Sequence, residues 1–416
     1  MTTRSSPFEK ANEEVIRRIG SAHVFWVGMS TAGREVHWLR EGRRLLHAGP
    51  PLSWSEMCGA MRNAAMGAIL YEGWSATLEE AEAMAERGEV EFDSAHAHGM
   101  LGPMAGIVSP AMPVFIVENK PFSSRVFITI NEGLGQTLRF GANGAAVIER
   151  LHWIEHHLAP LLEEAIVLGG AVDITAIIER ALQRGDECHN RNKSATSLLF
   201  RRIAPWLVKS SFSKEEIAEA LFFIDRNDHF FLNLSMAASK ATMDSVRDIQ
   251  GSTIVSCMAA NGFHFAIQVA GLGSRWFTTP APLAEGRYFQ SYGEQDANPV
   301  MGDSYLSEAA GLGGVAMAAA PAITSFVGGT VQDALRTTEE MYKITDAEHP
   351  RYRIPFLDYR GTPLGIDLRK VIELKITPVI NTGIAHRFPG VGQIGAGLFR
   401  PSLDCFTNAY ITLTNQ

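Results

Sequence analysis

Hydrophobic residues recur at helical spacing in several stretches of the first third of the chain, and short apolar runs separate them. The first helix is predicted over residues 7–19. Proline is favoured at the first position of a helix, because the N–H group that it lacks would have no partner within the helix. Ser53 and Thr77 each precede a glutamate by three residues, the spacing of a capping box, and predict two further helices. The apolar runs predict buried strands at 113–117 and 126–130.

Helical periodicity dominates the middle of the chain, from about 145 to 249. A helix over 148–166 is expected to kink near its internal proline. Asp173 and Ser213 are the expected N-caps of the next helices, and residues 230–249 form another long amphipathic run.

Mixed structure returns in the last third. Strands are predicted over 251–259 and 263–269, joined by Asn261-Gly262, a dipeptide typical of tight hairpins. An alanine-rich helix is predicted over about 314–326, and another helix over 331–342.

This order of elements predicts an α+β fold with several domains. Two mixed α/β regions, residues 1–145 and 250–416, flank a helical middle domain, residues 146–249. No strand–GxGxxG–helix unit is followed by an acidic residue, so a Rossmann fold is not expected.

Composition narrows the class of protein. The chain has 416 residues, 46% of them hydrophobic, and its 37 Lys+Arg against 45 Asp+Glu give a formal charge of -8. That balance argues against a nucleic-acid binder, which needs a basic surface. The uncharged stretches 252–274 and 309–332 are rich in Gly, Ala and Ser rather than Leu and Ile, so no membrane span is expected. Four isolated cysteines and an N-terminus without an apolar run favour a cytoplasmic protein.

The densest polar cluster of the sequence, GDECHNRNKS, directly precedes an apolar helix. Free N–H groups at a helix N-terminus, together with Arg191 and Asn192, predict a docking site for phosphate or carboxylate. His189 is the predicted catalytic acid/base, held in one tautomer by Asp186 or Glu187. The structural alternative is a helix cap with solvated charges.

Glycine-rich loops elsewhere supply further candidates, because their backbone N–H groups can approach an anion and nearby arginines can grip it. The additional substrate-binding residues that we predict are Gly102, Arg139, His229, Gly273, Arg275, Gly313 and His386. A metal shared by His96 and His98, and a nucleophilic Cys188, are weaker alternatives. No GxSxG, HExxH, P-loop, kinase or EF-hand pattern occurs, so neither a cofactor nor a metal is predicted.

Several long strings occur in order between about residue 96 and the C-terminus. They read GPMAGIVSP, NEGLGQTLRFGA, GDECHNRN, NDHFFLNLSMAASKA, GLGSRWFTTPAP, GLGGVAMAAAPA, GTPLGID and NTGIAH. These strings resemble a bacterial family of originally unknown function that includes a subunit of oxamate carbamoyltransferase from anaerobic allantoin breakdown.

The resemblance implies a multi-domain α+β fold with a helical middle segment. It also implies a transferase reaction, the phosphorolysis of oxalurate to oxamate and carbamoyl phosphate. The implied partners are an FdrA-like protein and a further small subunit, with carbamate kinase acting downstream. We also expect a homo-oligomer, no nucleic acid and no membrane.

Two other classes of function stay open at this point. The chain can be a non-catalytic subunit that completes a partner's active site, or a hydrolase or lyase of a ureide or amide. The chemistry of the residues supports a small, polar, anionic substrate in each case.

Overall fold

The structure, a computed structural model, describes residues 7–388 and 390–415. Helix makes up 47% and strand 22%, and the sheets of the described residues are small and none of them is closed, so the predicted α+β, multi-domain class is confirmed. The α-helices of seven residues or more in the described part are Pro7–Ser21, Gly59–Tyr71, Leu78–Glu86, Ala145–Trp153, Ala159–Gly169, Ile174–Leu182, Lys193–Leu207, Lys214–Asp225, Leu232–Met243, Val331–Met341, Leu368–Leu374 and Leu403–Thr414.

Shorter helical segments connect these elements. Four-residue α-helices lie at Ala32–Glu35, Leu306–Ala309 and Thr324–Val327, and a π-helical turn spans Ile154–Leu158. The 3₁₀ turns are His37–Arg40, Trp54–Glu56, Ala95–His98, Lys120–Phe122, Leu138–Phe140, Asp244–Val246, Ala270–Leu272, Glu294–Asp296, Gly313–Ala319, Pro321–Ile323 and Pro355–Leu357.

Among the described residues the strands form one larger mixed sheet and several smaller ones. In spatial order the larger sheet contains Met100–Leu101, Ser124–Thr129, Pro113–Asn119, Val24–Thr31 and Val172–Asp173. Of its neighbouring strand pairs, the pairing of Met100–Leu101 with Ser124–Thr129 is parallel and the others are antiparallel. The last strand comes from the predicted helical region, so this sheet crosses the expected boundary at residue 145.

The C-terminal half carries the remaining sheets apart from one short parallel pair, Arg44–His47 with Glu91–Ser94. One sheet has the order Phe277–Pro280, His264–Val269, Val255–Asn261, Met301–Gly302. A second has the order Glu285–Tyr288, Gln393–Phe399, Ile380–Ala385, and Thr345–Ile354 pairs with Arg360–Ile366.

Local signals placed many of these elements correctly. Asp173, Ser213 and Thr77 each accept a hydrogen bond from a backbone N–H of the helix they precede. The hairpin predicted at Asn261-Gly262 is present, and Gly262 supplies its positive φ of 78°.

The alanine-rich helix predicted over 314–326 is wrong. The segment forms two 3₁₀ turns and a four-residue α-helix, with a non-helical residue at Ala316. Residues 314–321 are buried, and an added Cβ at Gly314 would collide with the carbonyl of Val379. Burial of the segment and the close approach of Gly314 to the Val379–Asn381 backbone therefore override the helical preference of alanine.

Two hydrophobic clusters form the core of the described residues. The larger one draws on all three predicted regions, whereas the smaller one comes almost entirely from residues 32–151. Among the residues that the structure describes, none of the helices is both long and apolar enough to cross a membrane.

Candidate active site

A pocket with about 350 Å³ of empty volume lies where the three predicted regions of the chain meet. Arg139 comes from the N-terminal region, His189 and His229 come from the middle, and Ser304 and Thr382 come from the C-terminal region. The pocket therefore joins side chains that lie far apart in the sequence, and it contains three of the residues predicted for the site.

His189 enters the pocket from a tight turn between two helices. Cys188, just before it, has a left-handed φ of 59°, and Asn192 Nδ2 donates a hydrogen bond to the carbonyl of His189. The His189 Nδ1–H group donates to Glu308 Oε1 at 2.8 Å, and both side chains are almost completely buried. This pairing leaves Nε2 as the nitrogen available to a substrate.

The pKa of His189 reflects two opposed effects. Burial lowers the pKa of the imidazole, but the Glu308 carboxylate, its hydrogen bond and the nearby Glu187 outweigh burial and raise it. Glu308 Oε1 also accepts hydrogen bonds from the backbone N–H groups of Gly314 and Asn381. The carboxylate is thus fixed in position, and it holds a histidine that retains its proton to higher pH than usual.

Glu308 corrects one part of the sequence prediction. Asp186 and Glu187 were the expected partners of the imidazole, but both serve the turn and the following helix instead. Asp186 Oδ2 accepts the N–H of Ala195 at 2.7 Å. Glu187 accepts the N–H groups of Asn190 and Arg191, and its Oε1 also accepts Asn381 Nδ2 at 3.0 Å.

These contacts also change the interpretation of the predicted anion site at this helix. Donors that the sequence offered to a phosphate are taken by the protein's own carboxylates. Burial raises the pKa of Asp186 to about 6 and that of Glu187 to about 7, although hydrogen bonds oppose the shift. The turn is therefore a preformed support for His189 rather than an open cradle.

Arg139 contributes a buried guanidinium to the pocket. Its side chain is 7% exposed, its Nη2 donates to the carbonyl of Gly133 at 2.6 Å, and its Nε has no hydrogen-bond partner among the described residues. Burial lowers the pKa of Arg139 to about 10, opposed by the neighbouring Glu132 carboxylate. Glu132 accepts the backbone N–H groups of Leu138 and Arg139 and so shapes the turn that carries the guanidinium.

His229 and Asn190 complete the polar lining. His229 Nε2–H donates to the carbonyl of Asn190 at 2.9 Å, so its Nδ1 carries a lone pair. Burial and the Arg139 charge lower the pKa of His229 to about 4, which keeps this ring neutral. Within the described chain, His229 Nδ1 and Asn190 Nδ2 are buried without partners.

Gly313 allows the backbone to pass directly beside the histidine–glutamate pair. Its φ is 61°, and its N–H donates to the carbonyl of Glu187 at 3.0 Å. An added Cβ would collide with Glu308 Oε1 and lie 2.8 Å from His189 Nδ1. Gly313, which was predicted to bind substrate, is instead needed for the close packing of the backbone behind the imidazole.

Three other predicted residues, Gly102, Asn192 and Arg191, lie near the pocket but do not line it. Gly102 lies beside the pocket, where its N–H donates to the buried carboxylate of Asp303. Asn192 lies under His189 with its Oδ1 buried and unpartnered within the described part of the chain. Arg191 does not line the pocket; its Nε donates to the carbonyl of Gly185 at 2.9 Å.

Gly273, Arg275 and His386 are not brought to the pocket. Arg275 is exposed and lies over the ring of Phe277, and Gly273 approaches Asp248. His386 is buried, but its Nδ1 accepts the backbone N–H of Phe388. The sequence does not distinguish these three residues from those in the pocket, since glycine-rich loops with a cation look alike in sequence wherever they fold.

The structure does not favour the two weaker alternatives, a nucleophilic Cys188 and a metal shared by His96 and His98. Cys188 is fully buried, and burial raises its pKa well above the ordinary value for a thiol, which removes the thiolate that a nucleophile needs. His96 and His98 face different carboxylates, those of Asp303 and Asp93.

A second cavity adjoins the pocket across Arg139. It has about 510 Å³ of empty space, part of it open to solvent, and its wall is mostly apolar apart from Arg139, Glu132, Asn233 and a few hydroxyl groups. Pro103 and Arg139 line both spaces, so the guanidinium lies between them.

Sequence reasoning missed Glu308, Asn190 and Asn381. Glu308 immediately precedes the uncharged stretch 309–332, and Asn381 opens the string NTGIAH without any catalytic signature. A lone acid next to a long uncharged run is the one signal that was available, because a buried charge needs a partner.

The fold and the pocket define a multi-domain α+β protein with a buried site lined by one arginine and two histidines. A model of the family described as oxamate carbamoyltransferase subunit AllG matches residues 90–304. The Escherichia coli K12 protein of that name is 43% identical over 409 residues, which covers 98% of both chains.

Two further relatives carry no assigned function. The uncharacterized protein YahG of Escherichia coli K12 is 40% identical over 401 residues, 96% of this chain and 85% of YahG. A crystal structure of a conserved protein of unknown function from Enterococcus faecalis V583 superposes with a TM-score of 0.94 at 40% identity, covering 98% of each chain. The chain therefore belongs to the AllG family.

Proposed function

We propose that this chain is a subunit of a carbamoyltransferase that acts on a small anionic ureide, with oxalurate and phosphate converted to oxamate and carbamoyl phosphate. A relative that covers nearly the whole chain is named as a subunit of oxamate carbamoyltransferase. The observation that carries the proposal is a set of buried polar atoms without partners in the described pocket, namely Arg139 Nε, Asn190 Nδ2 and His229 Nδ1.

These atoms match the chemistry of an acyl urea. Buried polar groups in proteins are normally hydrogen-bonded, so two donors and one acceptor left open in one pocket favour a bound polar molecule. Oxalurate offers a carboxylate and two carbonyl oxygens to the donors of Arg139 and Asn190. Its N–H groups suit the lone pair on His229 Nδ1, which stays available because this ring is neutral.

His189 is the acid in this proposal. A phosphate oxygen attacks the carbamoyl carbon, and the bond from that carbon to the oxamate nitrogen breaks. His189 Nε2 gives its proton to the leaving nitrogen and regains one from the attacking phosphate, so no net proton is needed. Its raised pKa favours the protonated form that the step requires.

The proposal includes partners. We infer that further subunits complete the enzyme, since the relative's name describes one subunit of a larger assembly. The family resemblance of the sequence suggests that they are an FdrA-like subunit and a further small subunit. In that arrangement the phosphate or the second half of the site comes from a partner, and this chain supplies the ureide pocket.

The test is an assay of phosphorolysis with and without partners. Purified chain is incubated with oxalurate and phosphate, and carbamoyl phosphate is converted to ATP by carbamate kinase and ADP. Arg139→Met is expected to lower turnover by about 10²–10³-fold, the usual cost of one donor to a developing charge. Arg275→Met is the matched control, because it removes an exposed arginine outside the pocket.

The outcomes separate the competing functions. ATP formed by the chain alone shows a complete active site in one subunit, and ATP formed only with the partners shows a shared one. Full activity of the assembled Arg139→Met enzyme, with unchanged oxalurate affinity, refutes the proposed pocket. Ammonia release without any carbamoyl phosphate would instead favour a hydrolase.

A further inference from the structure

A group of metal-ligating side chains lies outside the pocket, on the helical segment that follows residue 145. His152, Glu155 and His156 each offer one ligand atom, and these atoms all lie within 4.8 Å of one another. His152 Nδ1 is 3.4 Å from Glu155 Oε2, and His156 Nε2 is 3.7 Å from the same oxygen. Two imidazole nitrogens thus converge on one carboxylate.

The local backbone explains the convergence. The helix Ala145–Trp153 continues into the π-helical turn Ile154–Leu158, which widens the backbone just where Glu155 and His156 project. Residues three and four apart share a helix face, and the rings of His152 and His156 lie parallel at 5° with centroids 5.9 Å apart.

A second helix orients the carboxylate. The Tyr71 hydroxyl, at the end of the helix Gly59–Tyr71, donates to Glu155 Oε2 at 2.7 Å. Its ring also lies 4.8 Å from the ring of His152. Such an outer hydrogen bond to a ligating carboxylate is a regular feature of metal sites, because it fixes the ligand before the ion arrives.

We propose that His152, Glu155 and His156 bind a divalent transition metal ion of the zinc type. Two imidazoles and one carboxylate form the ligand set that zinc and cobalt prefer, and a fourth position is left for water. Bonds of about 2.1 Å place tetrahedral ligands about 3.4 Å apart. The contacts of 3.4 and 3.7 Å to Glu155 already approach that spacing, and the exposed ring of His156 is free to rotate the rest of the way.

The ion would brace two elements beside the second cavity. Tyr71, Leu151 and Ile154 line that cavity, and Arg139 lies across it. Metal binding would therefore tie the helix Gly59–Tyr71 to the π-helical turn through Glu155 and Tyr71. This proposal does not depend on the chemistry of the ureide pocket, because it concerns a separate set of side chains.

The experiment is a titration of tag-free, chelator-treated protein with Co²⁺, followed by displacement with Zn²⁺. We expect one Co²⁺ per chain with the visible absorption of a tetrahedral site, and Zn²⁺ should raise the unfolding temperature. His152→Gln and His156→Gln should each weaken Co²⁺ binding at least tenfold. Tyr71→Phe should weaken it by about tenfold without removing a ligand.

The chain offers a close control in the adjacent residue. His157 is also a half-exposed histidine near a glutamate, with its Nδ1 3.8 Å from Glu216, but it is outside the cluster. His157→Gln should leave Co²⁺ affinity unchanged. The proposal is overturned if the native protein takes up no stoichiometric Co²⁺, or if His157→Gln weakens binding as much as His156→Gln does.

Discussion

Replacing Glu308 by glutamine tests whether its charge is what supports His189. The amide oxygen of glutamine can still accept the N–H groups of Gly314 and Asn381, so the shape of the site is kept. The substitution removes the negative charge 2.8 Å from His189 Nδ1. Burial then acts on the imidazole with less opposition, and the pKa of His189 should fall.

The expected loss of stability follows from the burial of both groups. Breaking a buried ion pair costs about 3–5 kcal/mol when the remaining charge cannot be neutralised. His189 can release its proton, so the cost is limited to about 1–3 kcal/mol, the penalty for one poorly satisfied buried group. Because the pKa of His189 is raised in the folded state, the stability that the pair contributes is present below about pH 6.5 and is lost as the pH rises through the folded-state pKa.

The assay is urea unfolding of wild type and Glu308→Gln at about pH 6 and about pH 9. The difference between the two proteins should be largest at the lower pH and should shrink at the higher pH. Glu89→Gln is the control, since it breaks an exposed pair with Arg87 and should shift neither curve. An equal difference at both pH values would refute the reasoning, because it would show that the charge of Glu308 does not stabilise a protonated His189.

Two further substitutions test the walls of the pocket. Gly313→Ala should displace the His189–Glu308 pair and lower the turnover of the assembled enzyme. Gly185→Ala is the control, because Gly185 also has a positive φ but has open space around it, and turnover should not change. Steady-state kinetics of both variants test this prediction. Asp303→Asn should remove at least one of the hydrogen bonds from Gly49, Gly102 and His96 that hold the loop beside the pocket. Because His96 can release its proton, as His189 can, the expected cost in urea unfolding is about 1–3 kcal/mol. Burial lowers the pKa of His96, but Cys257 and Asp303 raise it to about 9, so wild type should lose stability between about pH 6.5 and about pH 9 and the variant should lose less over that range.

The parts of the fold that were predictable are those fixed by nearby residues. A serine or threonine cap contacts an N–H group three residues on, as at Thr77 and Ser213, and an Asn-Gly turn joins strands that are neighbours in sequence. The helix predicted over 314–326 is wrong, because the conformation there depends on the close contact of Gly314 with Val379, which is distant in the sequence. Alanine content indicates a helix only where the surroundings leave room for one.

In the candidate site, too, the residues with local sequence signals were predictable and their distant partners were not. Arg139, His189 and His229 were predicted from their own loops, and the structure brings all three to one pocket. Their partners were not predictable, since Glu308 lies 119 residues from His189 in the sequence. The positions of Arg275 and His386 outside this pocket were not predictable either, because a polar loop carries no local sign of which other loops it will meet.

The carboxylates of Asp186 and Glu187 show why local chemistry alone misassigns a site. Acids beside a histidine at a helix start suggest a catalytic relay, yet their oxygens accept the N–H groups of Ala195, Asn190 and Arg191. The N–H of Ala195 needed an acceptor in any case, since the first N–H groups of a helix have no partners within it, and those of Asn190 and Arg191 are buried turn donors that also need one. The acid that reaches the imidazole comes from another element, because Glu308 Oε1 lies 2.8 Å from His189 Nδ1 although the two residues are 119 positions apart in the sequence.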